Sequence, residues 1–462
     1  MNLKIKDTFE GLKDFKPLNN KETKIYSCGP TVYNFVSIGN LRSFITSDII
    51  KKSLRYLGFK ISDVMNITDV GHLLEDSDNL EDKIEKEASK QKRNIYEIID
   101  FYTKYFFSAI EKENIKKPGV LAKASDMIPE QIEMIEILEK KDFVYQTKTG
   151  VYFDISKFKD YEKYAKQNLL SLVKGARESV VKDRTKKHPY DFRLWQTAYP
   201  EHIMQWESPW GKGFPGWHIE CSSIIYKYLG KTIDIHTGGT DLIYPHHVNE
   251  IAQSRSAFST NFVNYWIHNE MMLVDGVKMS KSTGNIYTIE DIEKKNINPL
   301  ALRYLYLNAH YSSLINFTFE SLKSSENALN KIYNFLRLNG EYFTKENSKS
   351  EKYKDLFIQK ISNDFDTPGM LDILHSLIKD KNIDINTKIA TILDFDNVLS
   401  LDFHKYLNPK PISKDLQALI DTRSIARNRK EWDKADKIRT IIENKGYSII
   451  DLEDKSFVIK KL

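Results

Sequence analysis

Residues Lys24–Ile67 read KIYSCGPTVYNFVSIGNLRSFITSDIIKKSLRYLGFKISDVMNI, and this stretch decides the fold. KIYSC reads as a short strand and Gly29-Pro30 as a turn. Phe44, Ile45, Ile49, Ile50, Leu54 and Leu57 then keep helical spacing until Gly58 closes the helix, and Phe59 to Ile67 reads as a second strand. Strand, helix and strand at this separation make one right-handed crossover unit of a parallel sheet, whose ligands collect at the carboxyl ends of the strands. Cys28 and Thr68 fall at two such ends, either as pocket residues or as ordinary occupants of a strand end.

Working outward, 462 residues are enough for several domains and a sizeable core. With 41% hydrophobic and 29% charged residues, 19 Gly and 13 Pro, collagen, disordered tail and disulfide scaffold are excluded. The net charge of +5 permits a nucleic-acid partner without requiring one. Two cysteines, Cys28 and Cys221, lie too far apart in sequence to imply a disulfide, which points to a reducing, cytoplasmic setting and to thiol or metal chemistry. Charges scattered through Met1 to Lys16 leave no apolar signal-peptide core, and no stretch has the length of a membrane span.

Residues Glu85 to Tyr199 are highly charged and helical with a short strand at Val151 to Asp154, the pattern of an insertion between two halves of a sheet. Strand character returns at Thr232 to His236, before a turn at Gly238-Gly239. Helical periodicity covers Pro299 to Tyr311, Phe319 to Leu338, Leu356 to Ile378 and Leu416 to Ile442, and Tyr447 to Ile459 reads as a small hairpin.

Several groups suit a polyphosphate and a metal. Ser37-Ile38-Gly39-Asn40 sits where a strand loop enters a helix, a place whose free amides favour phosphate, although a plain helix start explains it equally well. Lys278-Met279-Ser280-Lys281-Ser282, between Asp275-Gly276 and Gly284-Asn285, is a twice-cationic loop, either a solvated surface loop or one able to close over phosphates. His246 and Glu250 are four apart and would share one helix face, a spacing that serves a surface hydrogen bond or a single metal with Cys28 and Cys221 as soft ligands, a set that suits zinc; His247 reads equally as a buried core histidine. His236, near a second strand end, is either a group supporting a ligand or a core residue.

At YSCGPTVYNFVSIGN, NITDV, SPWGKGFPGWHIECS, IHTGGTDLIYPHHVNEIAQS and VDGVKMSKSTGN, taken in this order, the chain resembles the bacterial cysteinyl-tRNA synthetases, which are class I aminoacyl-tRNA synthetases. The resemblance implies an α/β fold: a Rossmann-like parallel-sheet catalytic domain with an inserted connective domain, then a mainly α-helical C-terminal region. The expected divisions are 1–105 and 213–295 for the catalytic halves and 106–212 for the insertion. A stem-contact region at 296–345, a helical bundle at 346–412 and an anticodon-binding region at 413–462 follow.

The same resemblance implies one Zn2+ per subunit on Cys28, Cys221, His246 and Glu250, and Mg2+ with ATP. Cys28, Gly29, Thr31, Thr68, Trp217 and His236 would bind L-cysteine. Gly39, Asn40, Asp241, Lys278, Met279 and Lys281 would bind ATP, with Ser37, Asn40, Lys278 and Lys281 catalytic. A steric pocket separates cysteine from serine by only about a hundredfold, which is where a thiophilic metal would act as the sieve. Ser37 departs from the family's usual histidine and is shorter and uncharged. The stretch Gly71 to Leu80 lengthens a loop.

Between Arg423 and Arg439 stand seven cations against three acids, a surplus of four. Arg429, Trp432, Asp436 and Arg439 recur at helical spacing, a stripe suited to an unpaired base or to core packing. With the resemblance, Arg427, Arg429, Trp432, Asp436 and Arg439 are expected to contact tRNA(Cys), and the chain is expected to act as a monomer off the membrane. Two rivals stand beside this reading. One is a ligase joining cysteinyl-adenylate to a small amine, against which the basic C-terminal region argues. The other is a catalytically silent tRNA-binding relative, against which the complete KMSKS argues.

Overall fold

The computed structural model describes residues 3–19, 22–71, 82–165, 185–188, 190–197, 202–280, 283–340, 349–407, 413–451 and 457–461. Lys281, Ser282 and nearly all of the Gly71 to Leu80 stretch lie outside them, as do Ser456 and Leu462 of the terminal SFVIKKL.

Five parallel strands form the central sheet: β1 (Thr23–Ser27), β2 (Ile61–Ile67), β3 (Val120–Lys123), β4 (Ile233–Gly239) and β5 (Val263–Asn269), in the spatial order β5-β4-β1-β2-β3. The chain therefore departs in opposite directions from the β1/β4 pair, and a crevice opens at the carboxyl ends of those two strands. Two differences from the sequence reading concern this sheet. Its edge strand β3 lies beyond residue 105, because the short, lysine-flanked VLAK carries little strand signal among long helices. Gly238 and Gly239 do not turn but continue β4, paired with His268 and Asn269.

Helix α2 (Ile95–Lys112) lies between β2 and β3 in the chain, and helix α1 (Ile38–Tyr56) connects β1 to β2. Ser37 caps its start, and Gly58, at φ +92°, provides the left-handed exit. The helix is buried on nearly every side, so its polar residues all need partners. Lys51 meets Asp63 at 3.2 Å, and Arg42 donates to the carbonyls of Glu270, Met271, Tyr311 and Ser313. Asp48 receives Arg303 Nη2 at 2.6 Å and Lys52 Nζ at 2.7 Å. Fully buried Arg303 also donates to the carbonyls of Glu113 and Leu399, tying α1 to the chain downstream of the sheet.

Antiparallel strands Val144–Gln146, Gly150–Phe153, Phe192–Gln196 and Phe214–Pro215 form a separate sheet within the inserted stretch. The chain divides into two compact units, one of residues 1–326, 350–380 and 395–401, the other of 327–349, 381–394 and 402–462. In the second unit, helices Lys414–Asn428 and Trp432–Asn444 pack through Leu416, Ile420, Ile438 and Ile442, and Tyr447–Asp451 pairs antiparallel with Phe457–Lys461. The single helix expected over Leu416 to Ile442 is thus two, broken at Arg429–Glu431 where Lys430 takes φ +61°. No glycine or proline marks that break. Leu356 to Ile378 likewise divides, into helices Glu351–Ser362 and Thr367–Lys379, with Asp364 and Phe365 at positive φ between them.

Two predictions follow from the buried charges. Arg303→Ala leaves Asp48 and two carbonyls short of a partner and is expected to cost about 3–5 kcal/mol in urea unfolding; a loss under about 1 kcal/mol would contradict the network. Both Glu113 carboxylate oxygens are buried without a partner, and burial, only partly opposed by Arg303, pushes the group up to about 8. A folded value above the ordinary 4.5 means stability is complete in acid and falls as pH rises from about 4.5 through 8. Glu113→Gln should flatten that fall in pH-dependent unfolding; parallel wild-type and variant curves would contradict the assignment.

Candidate metal centre and active site

The β1/β4 crevice collects both thiols of the chain and five of its 11 histidines. Cys28 follows the last residue of β1, its N–H donating to Thr237 of β4. Cys221 lies on α3 (Trp217–Leu229), His246 in the wide turn Ile243–His247, and Glu250 on α4 (Val248–Phe258). Donor atoms of Cys28, Cys221, His246 and Glu250 lie within 4.8 Å of one another. Cys221 Sγ is 3.5 Å and Glu250 Oε1 3.0 Å from His246 Nε2, and Cys28 Sγ is 4.0 Å from Glu250 Oε1. His246 reaches Glu250 from the turn before α4, not from the helix itself, so the four-residue spacing brings the two together by a different backbone from the one expected.

A second donor set shares Cys28 and Glu250 but takes His236 and His247 instead. His236 Nε2 is 3.0 Å from Glu250 Oε2, and its ring stacks on Trp266. His247 Nε2 is 3.3 Å from Cys28 Sγ, while its Nδ1 meets His268 Nε2 at 2.6 Å and His268 Nδ1 meets Thr8 Oγ1 at 2.6 Å. His218 Nδ1 faces His246 Nδ1 at 3.0 Å. Sequence reading missed His218 and His268 because their neighbours come from distant parts of the chain; the His246-His247 doublet was the one visible sign of an imidazole cluster.

The charges suit a cation. Burial raises the Glu250 carboxyl, but His236 and His246 outweigh it and hold the group at about 2. Burial also raises the Cys28 thiol, yet Cys221, His246 and His236 bring it down to about 6. Burial lowers His246, against which Glu250 and Cys28 lift it to about 10. Cys221 is pushed well above the ordinary thiol by burial and by Cys28, and burial with four neighbouring imidazoles holds His247 far below its ordinary value. Two anionic donors thus close around a proton on His246, where one metal ion would do the same work. Two sulfurs, one nitrogen and one oxygen, buried except for half-buried Cys28 and within reach of one centre, fit a tetrahedral zinc site.

Around this cluster, Thr68 is buried, pairs with Thr31 in an isolated bridge and donates its N–H to the Pro30 carbonyl. The Gly29 N–H donates to Asn66 Oδ1 at 2.7 Å, and a Cβ on Gly29 would stand 1.7 Å from the Asn66 carbonyl oxygen, so no side chain fits. Trp217 stacks on His246 with centroids 4.4 Å apart. Thr31, Thr68, Gly29, Trp217 and His236 are therefore brought to the same strand ends as the cysteines.

Near the start of α1, Ser37 is committed to the helix cap: its hydroxyl donates to Asn40 Oδ1 at 2.7 Å and accepts from the Asn40 N–H at 3.2 Å. Met279 lies against Gly39, 3.5 Å from where a Cβ would stand. Lys278 is exposed at the end of a short strand, Val277–Lys278. Asp241 follows β4, and its carboxylate lies so close to Gly239 that a Cβ there would meet Oδ1 at 2.3 Å.

In the second unit Trp432 is 56% exposed, against the core position that helical spacing also allowed. Arg429 lies in the turn before it and not on its helix; Asp436 and Arg439 are exposed on the helix that Trp432 begins, and Arg427 is half-buried. Arg423, counted among the seven cations, is buried.

Residues 14–327 match the family model described as the catalytic domain of the class I (C) tRNA synthetases. The cysteine--tRNA ligase of Treponema denticola is 39% identical over 99% of this chain and 98% of its own length. That of Brachyspira hyodysenteriae is 40% identical over 95% and 94% of the two chains. Among solved structures, Mycobacterium tuberculosis methionyl-tRNA synthetase in complex with methionyl-adenylate superposes with a TM-score of 0.57 at 13% identity, over 90% of this chain and 96% of that one, a likeness of fold. By its catalytic domain and by its end-to-end relatives, this chain belongs to the cysteine--tRNA ligase family of class I aminoacyl-tRNA synthetases.

Proposed function

We infer that this chain activates L-cysteine with ATP, releasing pyrophosphate, and transfers the cysteinyl group from the adenylate to tRNA(Cys), releasing AMP. The observation that carries this reading is the meeting of Cys28, Cys221, His246 and Glu250 at the switch point of the sheet, in a chain of this family. Between the two overlapping donor sets, the one holding both thiols is preferred, since two sulfurs make the softer site for a thiophilic ion. A zinc ion held there would supply a soft Lewis acid that takes a thiolate in preference to a serine hydroxyl.

The protein's own groups do the rest. Gly29, Thr31, Thr68 and Trp217 orient the amino acid so that its carboxylate faces the start of α1. The carboxylate attacks the α-phosphate in line, and Lys278 and Lys281 absorb charge on the departing pyrophosphate, with Mg2+ arriving on ATP. Asp241 accepts from the ribose. Ser37 cannot replace an imidazole while its hydroxyl caps α1 and holds the Asn40 N–H; the backbone amide of Gly39 and the side-chain amide of Asn40 take that place. A terminal ribose hydroxyl of the tRNA then attacks the adenylate carbonyl. Exposed Trp432, with Arg429, Arg427, Asp436 and Arg439, offers a stacking and hydrogen-bonding surface for an unpaired anticodon base. The reading places the enzyme in the cytoplasm as a monomer; no helix among the described residues is long and apolar enough to cross a membrane.

Cysteine-dependent pyrophosphate exchange tests this directly. The wild-type chain is expected to exchange well above background with cysteine and at least about a hundredfold less with serine. A background rate restored by Ser37→His would instead show the serine to be disabling. Trp432→Ala is expected to lower kcat/KM for tRNA about tenfold or more while exchange stays intact; an unchanged tRNA term would remove Trp432 from the interface.

A further inference from the structure

Phe35 lies in the loop between Cys28 and Ser37, and the steps above give it no role. Its ring meets three rings of α2 edge-on: Phe101 at 6.0 Å between centroids, Tyr102 at 5.2 Å and Tyr105 at 4.7 Å. Tyr102 is buried, yet Phe35 and Phe101 stay 42% and 39% exposed. The Tyr105 hydroxyl donates to Glu290 on the helix Ile289–Lys294, and the Ile38 N–H donates to the Tyr287 carbonyl at 2.8 Å. The two open rings therefore stand where the start of α1 meets the segment that follows Lys278 in the chain.

Packing within the chain closes the inner side of this cluster, where Phe106 of the same helix meets Phe44 at 4.9 Å. The outer side keeps aromatic carbon in water, which is unfavourable unless something covers it. Cations interleave the rings: the Arg93 guanidinium lies 5.2 Å from the Phe101 centroid and Lys83 Nζ 5.8 Å from that of Tyr33. From Lys83 to Arg93 five cations stand against two acids, and Lys86, Lys90, Lys92 and Arg93 are exposed. Glu87 and Glu97 offset Lys90 and Arg93 only in part, as pairs open to water at 3.7 and 3.5 Å. Open rings beside a cationic stretch suit a polyanion that carries flat unpaired groups, which describes single-stranded RNA and not an apolar peptide. The transfer step brings such a strand here, since the terminal ribose has to reach an adenylate at the start of α1.

We propose that Phe35 and Phe101 form a stacking platform for an unpaired base at the 3′ end of the tRNA, positioning its terminal ribose for transfer. The inference rests on the cysteinyl-transfer reading above and adds the surface that holds the reacting end of the RNA; the adenylate-forming step does not use it. Stacking needs a flat face, so leucine at either position keeps apolar packing against the tyrosines and loses the contact with the base.

The test sets Phe35→Leu and Phe101→Leu beside the wild-type full chain, with tRNA(Cys) and with the same transcript lacking its unpaired 3′-terminal nucleotides. Each substitution is expected to lower kcat/KM for tRNA in aminoacylation at least about fivefold while cysteine-dependent pyrophosphate exchange stays within about twofold. Phe35→Tyr, which keeps a flat ring, should hold aminoacylation within about twofold of wild type. In equilibrium binding the leucine variants should hold intact tRNA at least about fivefold more weakly and the shortened tRNA as tightly as the wild type does. Equal weakening of both RNAs would set the rings against another part of the tRNA, and unchanged aminoacylation would leave them without one; either result overturns the proposal. A matching loss of exchange would show a structural role instead, and a wild-type dimer in sedimentation that either leucine abolishes would assign the rings to a second copy of the chain. A wild type that never charges tRNA would defeat the ligase reading itself, an outcome separate from an active wild type indifferent to both substitutions.

Discussion

A single buried carboxylate organises the crevice. Glu250 meets His236 on one oxygen and His246 on the other, each at 3.0 Å, and is shielded from water. An ionised carboxylate in such a place is tolerated only when cations or donors surround it. The imidazoles meet that need from one side, and the two thiols complete a ring of soft and borderline donors from the other. Removing Glu250 would take from His246 the carboxylate that lifts it against its burial.

The sheet order makes this meeting possible. Because β4 lies beside β1, the loop carrying Cys28 and the segment leading to His246 leave the same edge in opposite directions, and α3 with Cys221 packs across them. Arg303 and Arg42 hold α1 to the segments that follow the sheet, and Met279 lies against Gly39. That frame keeps four donors from three separate stretches of chain within 4.8 Å of one another.

Much of the frame was legible beforehand, for local reasons. The alternation of strand and helix in Lys24–Ile67, Gly58 as a stop and Cys28 at a strand end all rest on neighbours in sequence. The four donors were legible through residue type, since two thiols with a His and a Glu four apart suggest one metal. What escaped was set by distant packing. The strand Val120–Lys123 exists because β2 offers it a partner, the break at Arg429–Glu431 because Ile420 and Ile438 need to face one another, and the contacts of His218 and His268 because their partners lie many residues away. Trp432 was balanced between core and surface by its helical spacing, and only the packing of Ala435, Ile438 and Ile442 inward turns it out.

The central claim is that Cys28, Cys221, His246 and Glu250 hold one thiophilic ion. Elemental analysis of the purified, dialysed chain beside its Cys221→Ser variant addresses it most directly. The account predicts zinc at one equivalent per chain in the wild type and a substoichiometric amount in the variant, with the fold retained by circular dichroism. A folded wild type without zinc, or a variant that keeps its full equivalent, would contradict it.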